Sequence, residues 1–179
     1  MQKSIDLVSL RDFTEEDIRL KVEWINNPEN NQYLHYDIPI EYEKTLRWFH
    51  QKDNAHRVDC TIEYDGQPVG VIGLLSIDKV NQKAEYYITV GNTSYQRKGI
   101  ATKATMLILE YAFLDLDLNK VYLTVDADNE KACGLYERVG MTCEGLFRED
   151  LLHHGKLIDR KRYAILKENW NCGWRDEKL

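Results

Sequence analysis

The sequence predicts a mixed α/β domain in which helices pack on a mostly antiparallel sheet. Seven short stretches have the composition or the alternation of strands, and four others carry apolar residues at helical spacing. Three of the strand candidates follow one another with only turn residues between them, as in an antiparallel meander. No Pro-rich or Gly/Ser-rich tract divides the 179 residues. We therefore expect one domain over 1–179, with residues from about 168 to 179 as a C-terminal tail.

The first third of the chain predicts one strand and two helices. Residues 5–10 alternate between apolar and polar side chains, which indicates a strand. Thr14, which three acidic residues follow, is a typical helix N-cap, and Asn26-Asn27-Pro28 ends the helix that it begins. A second helix is expected over 41–51, after a polar loop that contains tyrosines.

The middle third predicts the meander, with strands over 58–64, 69–77 and 84–90. Asp65-Gly66 is a hairpin turn signal between the first two strands, and 78–83 can form the second turn.

The last third predicts two helices and three strands. Apolar residues recur at helical spacing after Gly99, and a second helix is expected over 129–139. A short strand over 121–125 lies between them, and strands over 141–152 and 156–166 close the chain. The sheet should therefore have about seven strands and four helices.

Composition and charge argue against several classes of function. A net charge of −6 disfavours a general nucleic-acid binder, and no apolar run approaches the roughly 20 residues that span a bilayer. The start of the chain lacks the apolar segment of a signal peptide. The four cysteines lack metal-binding spacing and indicate reduced thiols. We expect a cytoplasmic protein with no membrane or nucleic-acid partner.

The loop after the third strand of the meander reads QRKGIA over 96–101. A helix start exposes backbone N–H groups without partners, and a glycine lets an anion approach them closely. Arg97 and Lys98 add positive charge. The loop therefore indicates a phosphate site, although a plain cationic loop that caps a helix is an equal alternative. Its spacing matches neither a P-loop nor a dinucleotide fingerprint.

A second motif reads NEKACGLY over 129–136. Asn129, Ala132 and Tyr136 lie at i, i+3 and i+7, which places an amide, a small residue and a phenol on one face of a helix. Such a face suits a narrow ligand. The alternative is an N-cap asparagine followed by two core residues.

In this order, Q-x-x-G-x-A and N-x-x-A-x-x-x-Y resemble the GNAT superfamily of N-acetyltransferases, and the resemblance covers nearly the whole chain. The segment 136–166 looks like the RimJ/RimL-like branch, which contains ribosomal-protein N-terminal acetyltransferases. The resemblance implies the GNAT fold, in which the fourth and fifth strands of the sheet splay apart. Here these are the predicted strands 84–90 and 121–125.

The resemblance also implies transfer of an acetyl group from acetyl-CoA, the co-substrate, to a primary amine that attacks the thioester directly. The loop N–H groups would hold the pyrophosphate, and the splayed strand would pair with pantetheine. The cofactor-binding residues that it implies are Ile88, Val90, Gln96, Arg97, Lys98, Gly99, Ile100, Ala101, Thr102, Asn129, Ala132 and Tyr136.

Two residues are candidates for proton transfer by the same resemblance. Tyr136 would be the general acid, since a phenol with a pKa near 10 can protonate the departing thiolate. Glu85 would be the general base, through a water molecule. Alternatively Glu85 is a solvated strand carboxylate, and water alone accepts the proton.

The acceptor is open at this point. In this fold it would enter between the first two helices and the last two strands, next to Trp24, Tyr33, Tyr36, Arg148 and His153. A protein N-terminal amine or a nucleotide-linked amino sugar fits the resemblances best. A polyamine or an aminoglycoside is the alternative, but no dense acidic cluster lies near the predicted entrance.

A function of another class is a non-catalytic module that senses acetyl-CoA. We disfavour it because the chain keeps both Tyr136 and Glu85. No metal site is expected, because His153 and His154 would point to opposite faces of a strand. A homodimer is compatible with the apolar last strand together with Trp170 and Trp174.

Overall fold

Eight strands form one sheet in a computed structural model that describes residues 1–95 and 97–170. The strands are β1 (Gln2–Ile5), β2 (Val8–Asp12), β3 (Val58–Tyr64), β4 (Gln67–Asp78), β5 (Lys83–Val90), β6 (Lys120–Asp126), β7 (Thr142–His153) and β8 (Lys156–Leu166). The α-helices are α1 (Ile18–Asn26), α2 (Tyr42–Gln51), α3 (Ile100–Glu110) and α4 (Glu130–Arg138). The spatial order is β1-β2-β3-β4-β5-β6-β8-β7, and every neighbouring pair except β5–β6 is antiparallel. The predicted fold class is confirmed.

The segment predicted as one strand over 5–10 is a hairpin, and this corrects the sequence-based assignment. Ile5 pairs with Val8 across a two-residue turn, and Asp6 adopts a left-handed backbone with φ of +51°. The adjacent apolar residues Leu7 and Val8 interrupt the alternation at this turn, where Asp6 adopts a left-handed conformation that Asp tolerates and Leu7 lies exposed. Treating 5–10 as one alternating stretch overlooked this break and so missed the reversal of the chain.

The predicted meander is present as β3, β4 and β5. Asp65 and Gly66 both have positive φ, at +52° and +73°, as a tight hairpin turn requires. Because β3, β4 and β5 pair in this order, β5 is the strand of the meander that borders β6.

The contact between β5 and β6 is short. The two strands pair in parallel only through residues 83–85 and 120–122. Beyond this point β5 stays paired with β4, and β6 stays paired with β8. The gap that opens between residues 86–90 and 123–126 is called the wedge below, and it is the predicted splay.

Each face of the sheet carries one pair of helices. On the α3/α4 face, Tyr86 and Leu123 belong to a large apolar core with Leu107 of α3 and Leu135 of α4. On the α1/α2 face, Phe13, Ile18, Trp24 and Val71 form a smaller core, against which Leu46, Trp48 and Tyr87 pack. Because neighbouring strand residues point to opposite faces, Tyr86 and Tyr87 belong to different cores.

The end of the described chain packs on its own domain. Trp170 lies against Phe113, with ring centroids 5.5 Å apart, so this side chain is not a free dimer contact. Trp174 lies outside the described residues, and the tail from about 168 stays a prediction. Within 1–95 and 97–170, no helix is long and apolar enough to cross a membrane.

Candidate active site

The start of α3 has the geometry of an anion site. Gly99 caps the helix with a left-handed backbone at φ +71°, and Arg97 before it has φ +64°. The first intrahelical bond runs from Lys103 N–H to the Gly99 carbonyl at 3.1 Å, so the N–H groups of residues 100–102 precede the helical ladder. A Cβ on Gly99 would meet no atom within 4 Å, which shows open space over the loop. Gln96, which was predicted to contribute here, lies outside the described residues.

Two aromatic rings hold the lysine of this loop. Lys98 Nζ lies 4.6 Å from the ring centroid of Tyr95 and 5.3 Å from that of Tyr64. Both contacts are of cation–π type, and they keep a positive charge beside the exposed helix start. This positive charge and the helix N-terminus both favour an anion.

A hydrogen-bonded chain that sequence reasoning missed ties β5 to this helix. Tyr86 Oη lies 2.7 Å from Thr105 Oγ1, and Thr105 donates to the Ala101 carbonyl at 2.7 Å. Since the threonine hydroxyl has one proton, Tyr86 is the donor in the first bond. The signal in the sequence was a tyrosine among the core-facing residues of a strand, because a buried hydroxyl needs a partner.

The second motif opens α4 as predicted. Asn129 is the N-cap, and its side-chain oxygen accepts from Ala132 N–H at 3.1 Å. Both the capping role and the helical face of the motif are therefore present together. Ala132 is half-buried against the core, next to the side of the wedge formed by β6.

Tyr136 is buried between two other tyrosines. Its ring centroid lies 6.1 Å from Tyr86, edge to face, and 5.7 Å from Tyr163. Burial, helped by the nearby Cys133, raises the pKa of the Tyr136 phenol well above its usual value near 10. Its hydroxyl has no hydrogen-bond partner among the described residues, while Tyr163 donates to Glu137 at 2.8 Å. Tyr136 is therefore a protonated phenol without a partner in the protein.

Glu85 lies on the other face of the sheet. It is half-buried and paired in register with Tyr122, at the closed end of the wedge. Ile88 and Val90 alternate with it, on the side of Tyr86. The fold thus does not place Glu85 beside Tyr136. It puts one residue on each side of the sheet.

The predicted acceptor residues divide into packed and exposed ones. Trp24 is buried under Gly91, where a Cβ would approach Trp24 Cγ to 2.1 Å. Asn30, which sequence reasoning missed, donates to the Gly91 carbonyl at 2.7 Å and to the Trp24 carbonyl at 3.1 Å. Trp24 therefore acts as a support for the end of β5.

The other predicted acceptor residues lie nearer the surface. Tyr33 is half-buried in a short 3-10 turn, Tyr36 is exposed, and Arg148 is exposed without an ion pair to a described residue. His153 packs edge to face on His35, with ring centroids 4.8 Å apart. The structure thus joins β7 to the loop between α1 and α2. Among the described residues no group of three or more His, Cys, Asp or Glu could hold a metal ion.

A cationic cluster forms part of the α1/α2 face. Asp59 accepts two bonds from Arg57, at 2.7 and 2.8 Å, one from Lys52 at 3.1 Å and one from Tyr87 at 2.7 Å. Lys21 Nζ lies 3.8 Å from the Trp48 ring centroid. Burial lowers the pKa of Lys21 to about 8, against the attraction of Asp59. Two cations therefore contact the carboxylate of Asp59, and the charge of Lys21 belongs to the same cluster.

Comparisons with known proteins agree with this geometry. Residues 8–142 match the profile of the acetyltransferase (GNAT) domain. The chain is 32% identical over 166 residues to spermidine N(1)-acetyltransferase of Escherichia coli K12, which covers 91% of this chain and 88% of that protein. It is 35% identical over 125 residues to the putative ribosomal N-acetyltransferase YdaF of Bacillus subtilis, covering 69% and 67%.

Solved structures give the same result. Spermidine N-acetyltransferase from Vibrio cholerae in complex with CoA and spermine superposes with a TM-score of 0.81 at 29% identity, covering 91% of this chain and 97% of that one. A dodecameric structure of the same enzyme has a TM-score of 0.75 at 26% identity, covering 90% and 95%. With its splayed sheet and its glycine-capped helix start, the chain belongs to the GNAT family and is an acetyl-CoA-dependent N-acetyltransferase.

Proposed function

We propose that this enzyme acetylates a small-molecule amine of the polyamine type. The wedge, open next to the glycine-capped start of α3, carries the transferase function. For the acceptor, the relatives named spermidine N-acetyltransferases match 91% of the chain, against 69% for the ribosomal relative. They favour the alternative over the protein N-terminus, which the RimJ/RimL-like resemblance suggested, and over the nucleotide-linked amino sugar.

Acetyl-CoA would enter the wedge from its wide end. The N–H groups of residues 97–102 would hold the pyrophosphate, with Arg97 and Lys98 adding charge. The edge of β5 at Ile88 and Val90 is free of β6 and would pair with the pantetheine arm. A backbone N–H near Val90 would then stabilise the oxyanion that forms as the amine attacks.

The second motif would hold the other side of the arm. The oxygen of Asn129 caps α4, so its Nδ2 group, which has no acceptor among the described residues, is the donor left for an amide of pantetheine. Ala132, one turn further along α4, has only a methyl side chain, so that the arm could lie close to this helix.

Proton transfer would use the two faces of the sheet. Glu85 would take a proton from the incoming ammonium through a water molecule, since only the free amine attacks. Tyr136 would give a proton to the thiolate of CoA, because its raised pKa keeps the phenol protonated at neutral pH.

An acceptor screen tests the proposal. We would measure the free thiol released from acetyl-CoA with spermidine, N-terminal peptides, an aminoglycoside and an amino-sugar nucleotide. We expect spermidine to give the highest kcat/KM. A higher value for a peptide or for the sugar nucleotide would overturn the polyamine assignment. Binding of acetyl-CoA without thiol release for any acceptor would instead support the non-catalytic sensor.

We further propose a cytoplasmic enzyme that assembles from several copies. The related spermidine enzyme forms a dodecamer, and β7 is here an edge strand with exposed Leu146, Phe147 and Leu152. A single species of monomer mass in sedimentation would contradict the assembly.

A further inference from the structure

One buried carboxylate in the described part of the chain lacks a Lys or Arg partner. The buried acidic residues are Asp17, Asp59, Glu110 and Asp126. The first three are paired with Arg11, with Arg57 and Lys52, and with Lys3, at distances of 2.7 to 3.1 Å. Asp126 accepts a bond from His35 Nε2 at 2.8 Å, and its second oxygen has no partner among the described residues.

The partner of Asp126 is itself incompletely bonded. His35 Nδ1 is buried and has no hydrogen-bond partner within residues 1–95 and 97–170. With the Nε2 proton directed at the carboxylate, Nδ1 presents a lone pair that needs a donor. An unpaired buried polar atom destabilises the fold, and a buried carboxylate without a cation does so more strongly. Both groups would gain from one cationic N–H donor.

The pair lies where the proposed acceptor would enter. Asp126 is the last residue of β6, at the wide end of the wedge. Leu123 and Val125 belong to the core of the α3/α4 face, so Asp126 points to the α1/α2 face, as do Glu85 and Tyr122. His35 comes from the loop between α1 and α2. The opening is therefore bordered by Glu85 on β5 and by Asp126 on β6, and Arg160, which is opposite Asp126 on β8, is itself paired with Asp150 at 2.7 Å.

The opposite side of the same face repels cations. Asp59, two strands away from the wedge, is paired with Lys52 and Arg57, and Lys21 adds a third positive charge beside Trp48. A polycationic acceptor whose terminal amine reacts near Glu85 would therefore place its remaining charge towards Asp126.

We propose that Asp126, oriented by His35, binds a second ammonium group of the acceptor, so that the enzyme selects amines with at least two charged nitrogens. The ammonium donates to the free carboxylate oxygen of Asp126, and its charge balances the buried acid. This inference rests on the proposed polyamine function and adds the residue that distinguishes polyamines from monoamines.

Asp126→Asn tests the assignment with two acceptors, spermidine and propylamine. A charge-assisted hydrogen bond is worth about 1.5–3 kcal/mol, so we expect the KM for spermidine to rise by about 10- to 100-fold. The kcat and the KM for propylamine should stay within about threefold, since the reacting centre is untouched. Asp128→Asn is the matched control, because it removes the same charge from an exposed position two residues away.

A second variant separates orientation from a structural role. His35→Ala should raise the KM for spermidine in the same direction, and combining it with Asp126→Asn should add little, because both residues act through one carboxylate. Calorimetric binding of spermidine to each variant gives a readout that needs no turnover, and thermal unfolding checks that each variant folds.

The outcomes distinguish the two proposals. A wild-type enzyme that acetylates spermidine, with an unchanged KM and binding constant in Asp126→Asn, would overturn the role of Asp126 and leave the function intact. A wild-type enzyme that acetylates propylamine as well as spermidine would also overturn it. No transfer to any polyamine, with good transfer to a peptide or a sugar nucleotide, would overturn the proposed function and this assignment with it.

Discussion

The two faces of the sheet differ in how they can recognise a ligand. The α3/α4 face is an apolar core that ends at a helix start, where the backbone N–H groups of residues 100–102 precede the helical ladder. The α1/α2 face carries side-chain charges, namely the Asp59 cluster, Glu85 and the His35–Asp126 pair. Backbone geometry suits a cofactor that is the same throughout a family. Side-chain charge suits an acceptor that differs from member to member.

Gly99→Trp is expected to have the largest effect, on the cofactor side. The indole would fill the open space over the loop, and φ of +71° disfavours any side chain. We expect the Kd for acetyl-CoA to rise by at least about 100-fold, close to 3 kcal/mol, in calorimetric titrations. Gly66→Trp is the control, because Gly66 has the same sign of φ and equal open space in the β3–β4 turn. Unchanged binding in Gly99→Trp would remove the loop from the cofactor site.

Tyr136→Phe should separate catalysis from binding on the same face. The phenyl ring keeps the packing on Tyr86 and Tyr163 while the proton donor is lost. We expect kcat to fall by about 100-fold, with an almost unchanged Kd for acetyl-CoA. Tyr163→Phe, which removes a neighbouring hydroxyl bonded to Glu137, should change kcat little. Equal losses of kcat and affinity in Tyr136→Phe would contradict the acid role.

Glu85→Gln tests whether the acceptor amine loses its proton on the α1/α2 face of the sheet. We expect kcat/KM at neutral pH to fall by about tenfold, as for a base that acts through water. The deficit should shrink as the pH rises towards about 10, where the amine has already lost its proton. A pH–rate profile of unchanged height and shape would show that water alone accepts the proton. Glu43→Gln, on the exposed side of α2, is the control.

Lys21→Met should give the smallest effect, on stability. The pKa of Lys21 is lowered to about 8 in the folded chain, so the charged form is less favourable there than in the unfolded chain. This destabilisation is fully present below pH 8 and fades as the pH rises towards the unfolded value of 10.5. After loss of the contact with Trp48, we expect a gain of about 1 kcal/mol in the free energy of unfolding at pH 7.

Denaturant titrations at pH 7 and pH 10 measure this gain, which should disappear at the higher pH. Lys44→Met, at an exposed position on α2, should show no such dependence. A loss of stability at pH 7 in Lys21→Met would mean that the lysine contributes more through Trp48 than its burial takes away.

The starts of α3 and α4 were largely predictable, because their signals are local. Gly99 precedes α3, where its loop predicted a helix start, and Asn129 caps α4, as the alternative interpretation of its motif had it. The hairpin at Asp6 was missed because its turn contains no Gly or Pro and breaks the alternation at only one place, between Leu7 and Val8. The role of Trp24 as a support was missed because burial against Gly91 depends on a contact between distant segments.

The sequence by itself determined the order of strands and helices after the first hairpin, and the two motifs that begin α3 and α4, since backbone conformation follows from neighbouring residues. Only the tertiary structure decided how long β5 and β6 stay paired, and that His35 meets Asp126 across 91 residues of chain. It also placed Glu85 and Tyr136 on opposite sides of the sheet. The physical reason is that charge pairing and strand separation depend on register and packing between distant segments, which no local pattern records.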